Sequence, residues 1–298
     1  MKKYLKNNNL RAFLYLLPAM MIIGVFQFYP IFKTLAMGFY TKFDYLTNDV
    51  YEVGLDNFIY VLTDADFILA MKNTCIFVFF SAPLGIFVAL IFAVILNSNI
   101  YLKKFFCSVY FMPFVTSTVA VSIVWSWILN MDYGLLNAFL SIFGLAKIAW
   151  LTDANMTIPI LIALSIWKGL GYKIIIILAG LQSIDEQLYS SARIDGANEY
   201  NRLLRITIPL LKPSLIFLSV TSIISAFKIF DEVYVMYGQR PGPLKSGMTI
   251  VYYIFDKFYR HWEFANASAA AFILFLVILI FTVLQFIFTF HREKRYKE

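Results

Sequence analysis

Six stretches of this chain are each long and apolar enough to cross a bilayer, and the last, Ala269–Phe290, runs 22 residues without a charged side chain. A hydrocarbon core needs about 20 predominantly apolar residues per helix. The other five stretches are Ala12–Phe32, Asn73–Leu96, Phe105–Leu129, Thr157–Leu181 and Pro209–Phe230, of which the fourth carries Lys168 and Lys173 inside it. Lipid offers backbone amides no partner, so segments of this kind form helices. Composition closes the water-soluble alternative. Of 298 residues, 61% are hydrophobic and 14% charged, whereas a soluble domain carries about 45–50% apolar and about 25% charged residues. Cys75 and Cys107 make no disulfide framework, and His261 and His291 cannot form a His-rich metal site.

Basic residues near the ends of the stretches set the orientation. Lys2, Lys3, Lys6 and Arg11 precede the first; Lys103 and Lys104 join the second to the third; Arg193, Arg202, Arg205 and Lys212 join the fourth to the fifth; Arg292, Lys294, Arg295 and Lys297 follow the sixth. With six alternating spans, all of these fall on one side. The connection after Phe32 is acidic instead, with Asp44, Asp49, Glu52, Asp56, Asp64 and Asp66. The expected fold is therefore all-α: a polytopic, multi-pass protein of the cell membrane with six transmembrane helices and both termini cytoplasmic. Trp127, Trp150 and Trp262 fall near the expected outer interface, where indole rings prefer to sit. The net charge of +7 follows loop placement and gives no reason to expect a nucleic-acid partner. A signal peptide is the alternative for the N-terminus, but the apolar run continues to Phe32 with no convincing small-residue cleavage site, which favours an uncleaved first helix. The expected division is residues 1–72 (N-terminal segment, first helix and outer connection), 73–290 (a five-helix core that includes a cytoplasmic segment at 183–209) and 291–298 (a basic tail).

That cytoplasmic segment, Ser183–Pro213, is not written as a slack loop. Ser183 and Glu186 have capping-box spacing, which predicts a helix from Ile184. Leu188 and Ala192 lie one turn apart on one of its faces. Gly196 permits a sharp turn, Asn198 can cap a second short helix, and Pro209 and Pro213 suit the first turns of the fifth span. The pattern is helix, turn, helix beneath the membrane. It fits either an amphipathic helix held on anionic lipid through Arg193, Arg202 and Arg205 or a compact docking knob.

Ser191-Ala192-Arg193-Ile194-Asp195-Gly196-Ala197, and nine residues after Gly196 the run Ile206-Thr207-Ile208-Pro209, resemble the EAA signature of ABC importer permeases. More narrowly they are similar to its carbohydrate-uptake branch. The family pattern is Glu-Ala-Ala, three residues, Gly, nine residues, Ile, any residue, Leu, Pro. Here Ser190 stands at the Glu, Ser191 at the first Ala and Ile208 at the Leu, with Gly196, Ile206 and Pro209 in register. Gly54-Leu55-Asp56-Asn57-Phe58, Asp66-Phe67, Asn73-Thr74, Trp167-Lys168-Gly169, Leu178-Ala179-Gly180-Leu181 and Phe227-Lys228-Ile229-Phe230-Asp231 look like other family segments. Leu17-Pro18 and Tyr29-Pro30 are similar to the first of the two permease types that pair in such systems. Gly238-Gln239-Arg240-Pro241 departs from the family's usual Gly-Gly-Pro.

The resemblance implies a type I ABC importer permease fold and a sugar or oligosaccharide as cargo, moved by alternating access. It implies four kinds of partner: a second homologous permease subunit, two ATP-binding subunits, an extracytoplasmic substrate-binding protein and the lipid bilayer. ATP and Mg would sit on the ATPase subunits, with no cofactor on this chain, and the chain itself has no G-x-x-x-x-G-K-[ST] phosphate loop. By the same resemblance Glu186, Ser190, Ser191, Ala192, Asp195, Gly196, Ala197, Ile206 and Pro209 couple the permease to the ATPase. Glu186, one turn before Ser190, is the expected substitute for the signature Glu.

A sugar route needs inward-facing polar groups and aromatic faces. Span five carries Ser219, Ser222 and Ser225 at three-residue spacing, which suits either close helix packing or a pathway wall. In span four Trp167 and Tyr172 can stack on a sugar ring or simply pack. Lys168 costs about 2.5–3.5 kcal/mol near the bilayer centre, so it should face a cavity or a partner. Gly169 and Gly171 can loosen that helix. Lys228 and Asp231 read as a structural helical pair. No catalytic residue and no metal ligand is assigned, and the chain is not expected to be an enzyme. Two other transport readings stay open: an ABC permease for a non-sugar or anionic solute such as a glycerol phosphate ester, and an ion-gradient-driven secondary transporter.

Overall fold

The structure, a computed structural model, describes residues 2–44, 47, 49–98 and 101–294, with side chains described for 12–44, 47, 49–98 and 101–287. Arg295 and Lys297 of the basic tail lie outside the described residues, as do the side chains of Lys2, Lys3, Lys6, Arg11, Arg292 and Lys294.

The chain opens with α1 (Lys2–Ile23), a π-helical turn at Gly24–Phe28, and α2 (Tyr29–Met37). A hairpin follows, β1 (Tyr40–Phe43) with β2 (Val50–Val53), then α3 (Asp56–Thr63) and α4 (Ala65–Asn97). Next come α5 (Lys103–Val115), α6 (Thr118–Ile128), α7 (Leu135–Ile142) and α8 (Ala154–Gln182). The segment between α8 and the fifth span supplies α9 (Glu186–Ile194), α10 (Glu199–Arg202), a π-helical turn at Leu203–Thr207 and α11 (Ile208–Leu210). The chain ends with α12 (Lys212–Phe227), α13 (Asp231–Met236), α14 (Ile250–Phe255) and α15 (Phe264–Lys294).

Among the described residues, four helical stretches are long and apolar enough to cross a membrane unbroken: Ala12–Met37, Ala65–Asn97, Ala154–Gln182 and Phe264–Ile287. The remaining two expected spans are bent pairs. Lys103–Val115 and Thr118–Ile128 meet at 99°, so the stretch read as Phe105–Leu129 is not one straight helix. The Thr116 hydroxyl turns back to donate to the carbonyl of Pro113 at 2.7 Å, and Thr116 itself is extended. A side chain that bonds its own backbone offers the chain an exit from the helix. Likewise Glu199–Leu210 and Lys212–Phe227 meet at 66°. Pro213 has no amide proton to give the carbonyl of Pro209, so that rung of the helical ladder is missing at the bend. The fifth span ends at Phe227, short of the expected Phe230. Lys228 is its C-cap and α13 starts afresh at Asp231, so Lys228 and Asp231 do not share one helix.

Two compact units divide the chain: residues 1–64 with 254–275, and residues 65–253 with 276–298. In the first, β1 pairs antiparallel with β2, a small sheet that the all-helical expectation did not include. Lys42 bridges it to Glu52 at 2.7 Å. Asn57 ties the hairpin to α3, its amide donating to the carbonyls of Gly38 and Tyr40 at 3.0 and 2.9 Å. Phe39, Phe58 and Phe272 pack ring against ring. Lys257 donates to the Tyr60 hydroxyl at 3.0 Å and pairs with Asp64 and Glu263 at 3.4 and 3.1 Å.

In the second unit α4 lies along α8. Gly85, Ala89 and Ala93 recur every four residues on α4, the small-residue spacing that lets two helices approach. Ala89, Ala93 and Leu96 pack with Leu170, Ile174, Ile177, Leu181, Leu211 and Leu218 in one buried cluster. Helix α8 runs unbroken through Gly169 and Gly171, so the glycines do not loosen it. A Cβ at Gly171 would run into the backbone carbonyl of Tyr110, so this glycine admits α5 against α8. The connection from α6 to α8 is held by Asn137, whose amide donates to the carbonyls of Met131 and Ile148. Its oxygen accepts from the Ile148 amide and the Trp150 indole.

Candidate coupling segment and translocation cavity

The segment between α8 and α12 is built from caps. Asp185 starts α9 by accepting from the Gln187 amide at 2.9 Å. This replaces the expected capping box: Ser183 closes α8 instead, its hydroxyl donating to the Gly180 carbonyl at 2.7 Å, and α9 begins at Glu186 rather than Ile184. At the other end the Gly196 amide reaches the Arg193 carbonyl and the Ala197 amide reaches the Ala192 carbonyl, at 3.1 and 2.9 Å. Gly196 has φ +77°. This is a Schellman closure, in which the glycine takes the left-handed position. Asn198 then caps α10 by accepting from the Asn201 amide at 2.8 Å. Tyr189 on α9 shares a hydrogen bond with the buried Thr207, hydroxyl to hydroxyl at 3.0 Å, so α9 is tied to the turn that leads into α11 and α12.

Glu186, Ser190, Ser191, Asp195, Gly196 and Pro209 are exposed on this unit, and Ala192, Ala197 and Ile206 are half-buried. Apolar side chains also face outward: Ile194 is 86% exposed and Tyr200 67%. Water does not favour such groups outside, and an exposed apolar group on a rigid polar-rimmed knob suits a protein partner.

The second unit holds an open cavity of about 740 Å³, within the range of about 300–1,000 Å³ usual for ligand sites. Of the candidate pathway residues, Lys168, Tyr172, Ser222 and Ser225 line it. Trp167 and Ser219 do not. Trp167 pairs with Trp125, ring centroids 5.7 Å apart. Ser219 accepts from the Gln285 amide on α15 at 2.9 Å, a helix-to-helix tie. Sequence reasoning passed over other lining groups: Ser81 on α4, Lys173 on α8, Glu232 on α13 and the rings of Phe77, Phe114 and Phe230. Lys228 and Asp231, read as a structural pair, also face the cavity. Phe114 stacks on Tyr172, centroids 5.0 Å apart and planes 16° apart, presenting a broad aromatic face. The signal for Lys173 was present, since it is the second ammonium within one apolar stretch.

Residues 81–296 match the family described as the binding-protein-dependent transport system inner membrane component. The chain belongs to this family. As a family member it is a membrane-spanning permease component. It is 33% identical over 290 residues to the lactose transport system permease protein of Rhizobium radiobacter, covering 96% of this chain and 95% of that one. It is 31% identical over 273 residues to the trehalose/maltose transport system permease protein of Thermococcus litoralis, with 91% of each covered. Among solved structures the permease is similar to a chain of a bacterial alginate ABC transporter in complex with its alginate pentasaccharide-bound periplasmic protein. That match has a TM-score of 0.84 and 26% identity, over 96% of this chain and 95% of that one.

Proposed function

We propose that this chain is the translocating subunit of an ATP-driven importer for a sugar or oligosaccharide, working by alternating access. The observation that carries the reading is the capped unit α9–α10. A short element closed at both ends and tied to the fifth span through Tyr189 and Thr207 transmits a displacement that a slack loop would absorb. It serves as the seat of a cytoplasmic ATPase. Glu186, Ser190, Ser191 and Asp195 offer polar contacts, Ala192, Ala197, Ile206 and Pro209 give the unit its shape, and Gly196 closes it. Residues 73–290 form the translocating core, and the N-terminus and the basic tail at 291–298 lie in the cytoplasm with this unit.

The partners of this reading are a second homologous permease subunit, two ATPase subunits that hold ATP and Mg, and an extracytoplasmic binding protein. The family's dependence on a binding protein and the sugar systems among the relatives support it. The chain performs no covalent chemistry. The cavity supplies the ingredients for a sugar: the Phe114–Tyr172 face for a pyranose ring, and Ser222, Ser225, Asp231 and Glu232 for hydroxyls.

The test is uptake of labelled oligosaccharides by membrane vesicles carrying the whole system. Uptake that requires internal ATP and survives collapse of the ion gradients supports the reading; uptake that follows the ion gradient and ignores ATP overturns it. Glu186→Ala addresses the missing signature Glu: reduced stimulation of ATP hydrolysis by loaded binding protein is expected, and unchanged stimulation removes Glu186 from the coupling set.

A further inference from the structure

Of the charges that face the cavity, Lys173 is the most enclosed. It is 9% exposed and lies on α8 directly after Tyr172. Among the described residues its ammonium forms no ion pair and no hydrogen bond. Its position is specific. A Cβ at Gly85 of α4 would stand 3.3 Å from the Lys173 Nζ, and one at Gly169 would stand 2.8 Å away. Two glycines on neighbouring helices thus leave the notch in which the ammonium sits. One turn before Gly85, Ser81 lines the same cavity, and its buried hydroxyl has no hydrogen-bond partner among the described residues. The other charged groups on the wall differ: Lys168 lies within electrostatic range of Glu232, and Lys228 and Asp231 are exposed.

The geometry points to an anion subsite at Lys173 and Ser81, which makes the cargo an acidic saccharide whose charge is a carboxylate or a phosphate. An unpaired ammonium at membrane depth is costly, and a hydroxyl buried without a partner adds to that cost. One bound anion relieves both, because the ammonium and the hydroxyl can each donate to it in charge-assisted hydrogen bonds. A neutral sugar leaves the ammonium unmatched. The stacked Phe114 and Tyr172 rings line the same cavity as Lys173. An aromatic platform beside a cation suits a pyranose ring that carries an acidic substituent.

The inference rests on the sugar-import reading, and the experiment separates the two. The assembled transporter, with its own permease partner, ATPases and binding protein, is reconstituted in liposomes with ATP on the cytoplasmic side. Uptake is measured for oligogalacturonates, for the same oligomers after carboxyl reduction, for sugar phosphates, for neutral malto-, cello- and arabino-oligosaccharides, and for glycerol 3-phosphate. Import of the oligouronates or of the sugar phosphates roughly tenfold or more faster than the neutral sugars is expected, with a loss of similar size in Lys173→Gln and retention in Lys173→Arg. The uronate and phosphate arms decide which acid the subsite takes. Co-purification with the partner subunits checks that Lys173→Gln assembles. Should it not assemble, Ser81→Ala, the smaller change, must weaken uptake of the acidic ligand selectively. Neutral sugars imported as fast as acidic ones, or unaltered acidic uptake in assembled Lys173→Gln, overturns the subsite and leaves sugar import standing. Import of glycerol 3-phosphate alone, or of no saccharide in either panel, overturns both.

Discussion

The side-chain amide of Asn73 on α4 donates to the backbone carbonyl of Met248, 3.0 Å away and 175 residues further along the chain. The next residue, Thr74, accepts from the Ile250 amide at 3.0 Å, and both side chains are buried. Two consecutive polar residues in the N-terminal part of α4 thus hold the start of α14 against it. Met248 and Ile250 need them, because a buried backbone group without a partner costs about 1–3 kcal/mol.

Asn73→Ala is expected to destabilise the permease by about 1–3 kcal/mol, because the Met248 carbonyl then loses its partner. The measurement is the thermal unfolding midpoint in detergent beside the parent. Asn73→Asp supplies no amide proton and should lower the midpoint as well. An unchanged midpoint in both would show that this bond contributes nothing.

Gly196→Val should separate hydrolysis from transport. Its φ of +77° is strained for any β-branched residue, so the Schellman closure of α9 fails although no neighbouring atom stands within 4 Å of the new Cβ. The protein should still insert, with ATP hydrolysis continuing while uptake falls. Gly196→Asn, which tolerates this conformation better, should restore part of the coupling. Full-rate uptake by Gly196→Val would dismiss the closure as a coupling device.

Gly171→Ala is the packing test. Its Cβ would press into the backbone carbonyl of Tyr110, and backbone cannot swing aside as a flexible side chain can. Overpacking of this kind costs about 1–3 kcal/mol. Reduced yield and a lower unfolding midpoint are expected, whereas Gly24→Ala, with nothing within 4 Å of the new Cβ, should change neither.

Lys257 and Glu263 make the first unit sensitive to pH at both extremes. Burial pushes the Glu263 carboxyl up, but hydrogen bonds from Asn266 and Lys257 outweigh it and hold the group below the usual carboxylate range. Burial likewise pulls Lys257 down, and hydrogen bonds to Tyr60 and Glu263 carry it above its ordinary value. A depressed carboxyl contributes stability that is present above its unfolded pKa of about 4.3 and lost as pH falls through the folded value. A raised ammonium contributes stability that is present below its unfolded pKa of about 10.4 and lost as pH rises through the folded value. Unfolding midpoints should therefore hold between those limits and drop on both sides. Glu263→Gln should flatten the acidic fall; an acidic limb of unchanged steepness would remove Glu263 as its source.

Hydrophobic length alone announced the membrane class, because about 20 apolar residues in a row have one stable environment. Local chemistry was legible too. Gly196, Asn198, Pro209 and Pro213 occupy the turn and cap positions that their own backbone preferences dictate, and such preferences need no distant partner. Where two residues competed for one role, reading the chain failed. Asp185 rather than Ser183 caps α9, because Ser183 finds the Gly180 carbonyl one turn back at 2.7 Å. Only tertiary structure decided the cavity. Ser219 and Ser222 share a spacing, yet the first bonds Gln285 on α15 while the second faces the open space. The notch at Lys173 needs Gly85 from one helix and Gly169 from another turn of its own. Periodicity tells which side chains share a face of a helix, but what stands opposite that face is set by contacts between residues far apart in the chain.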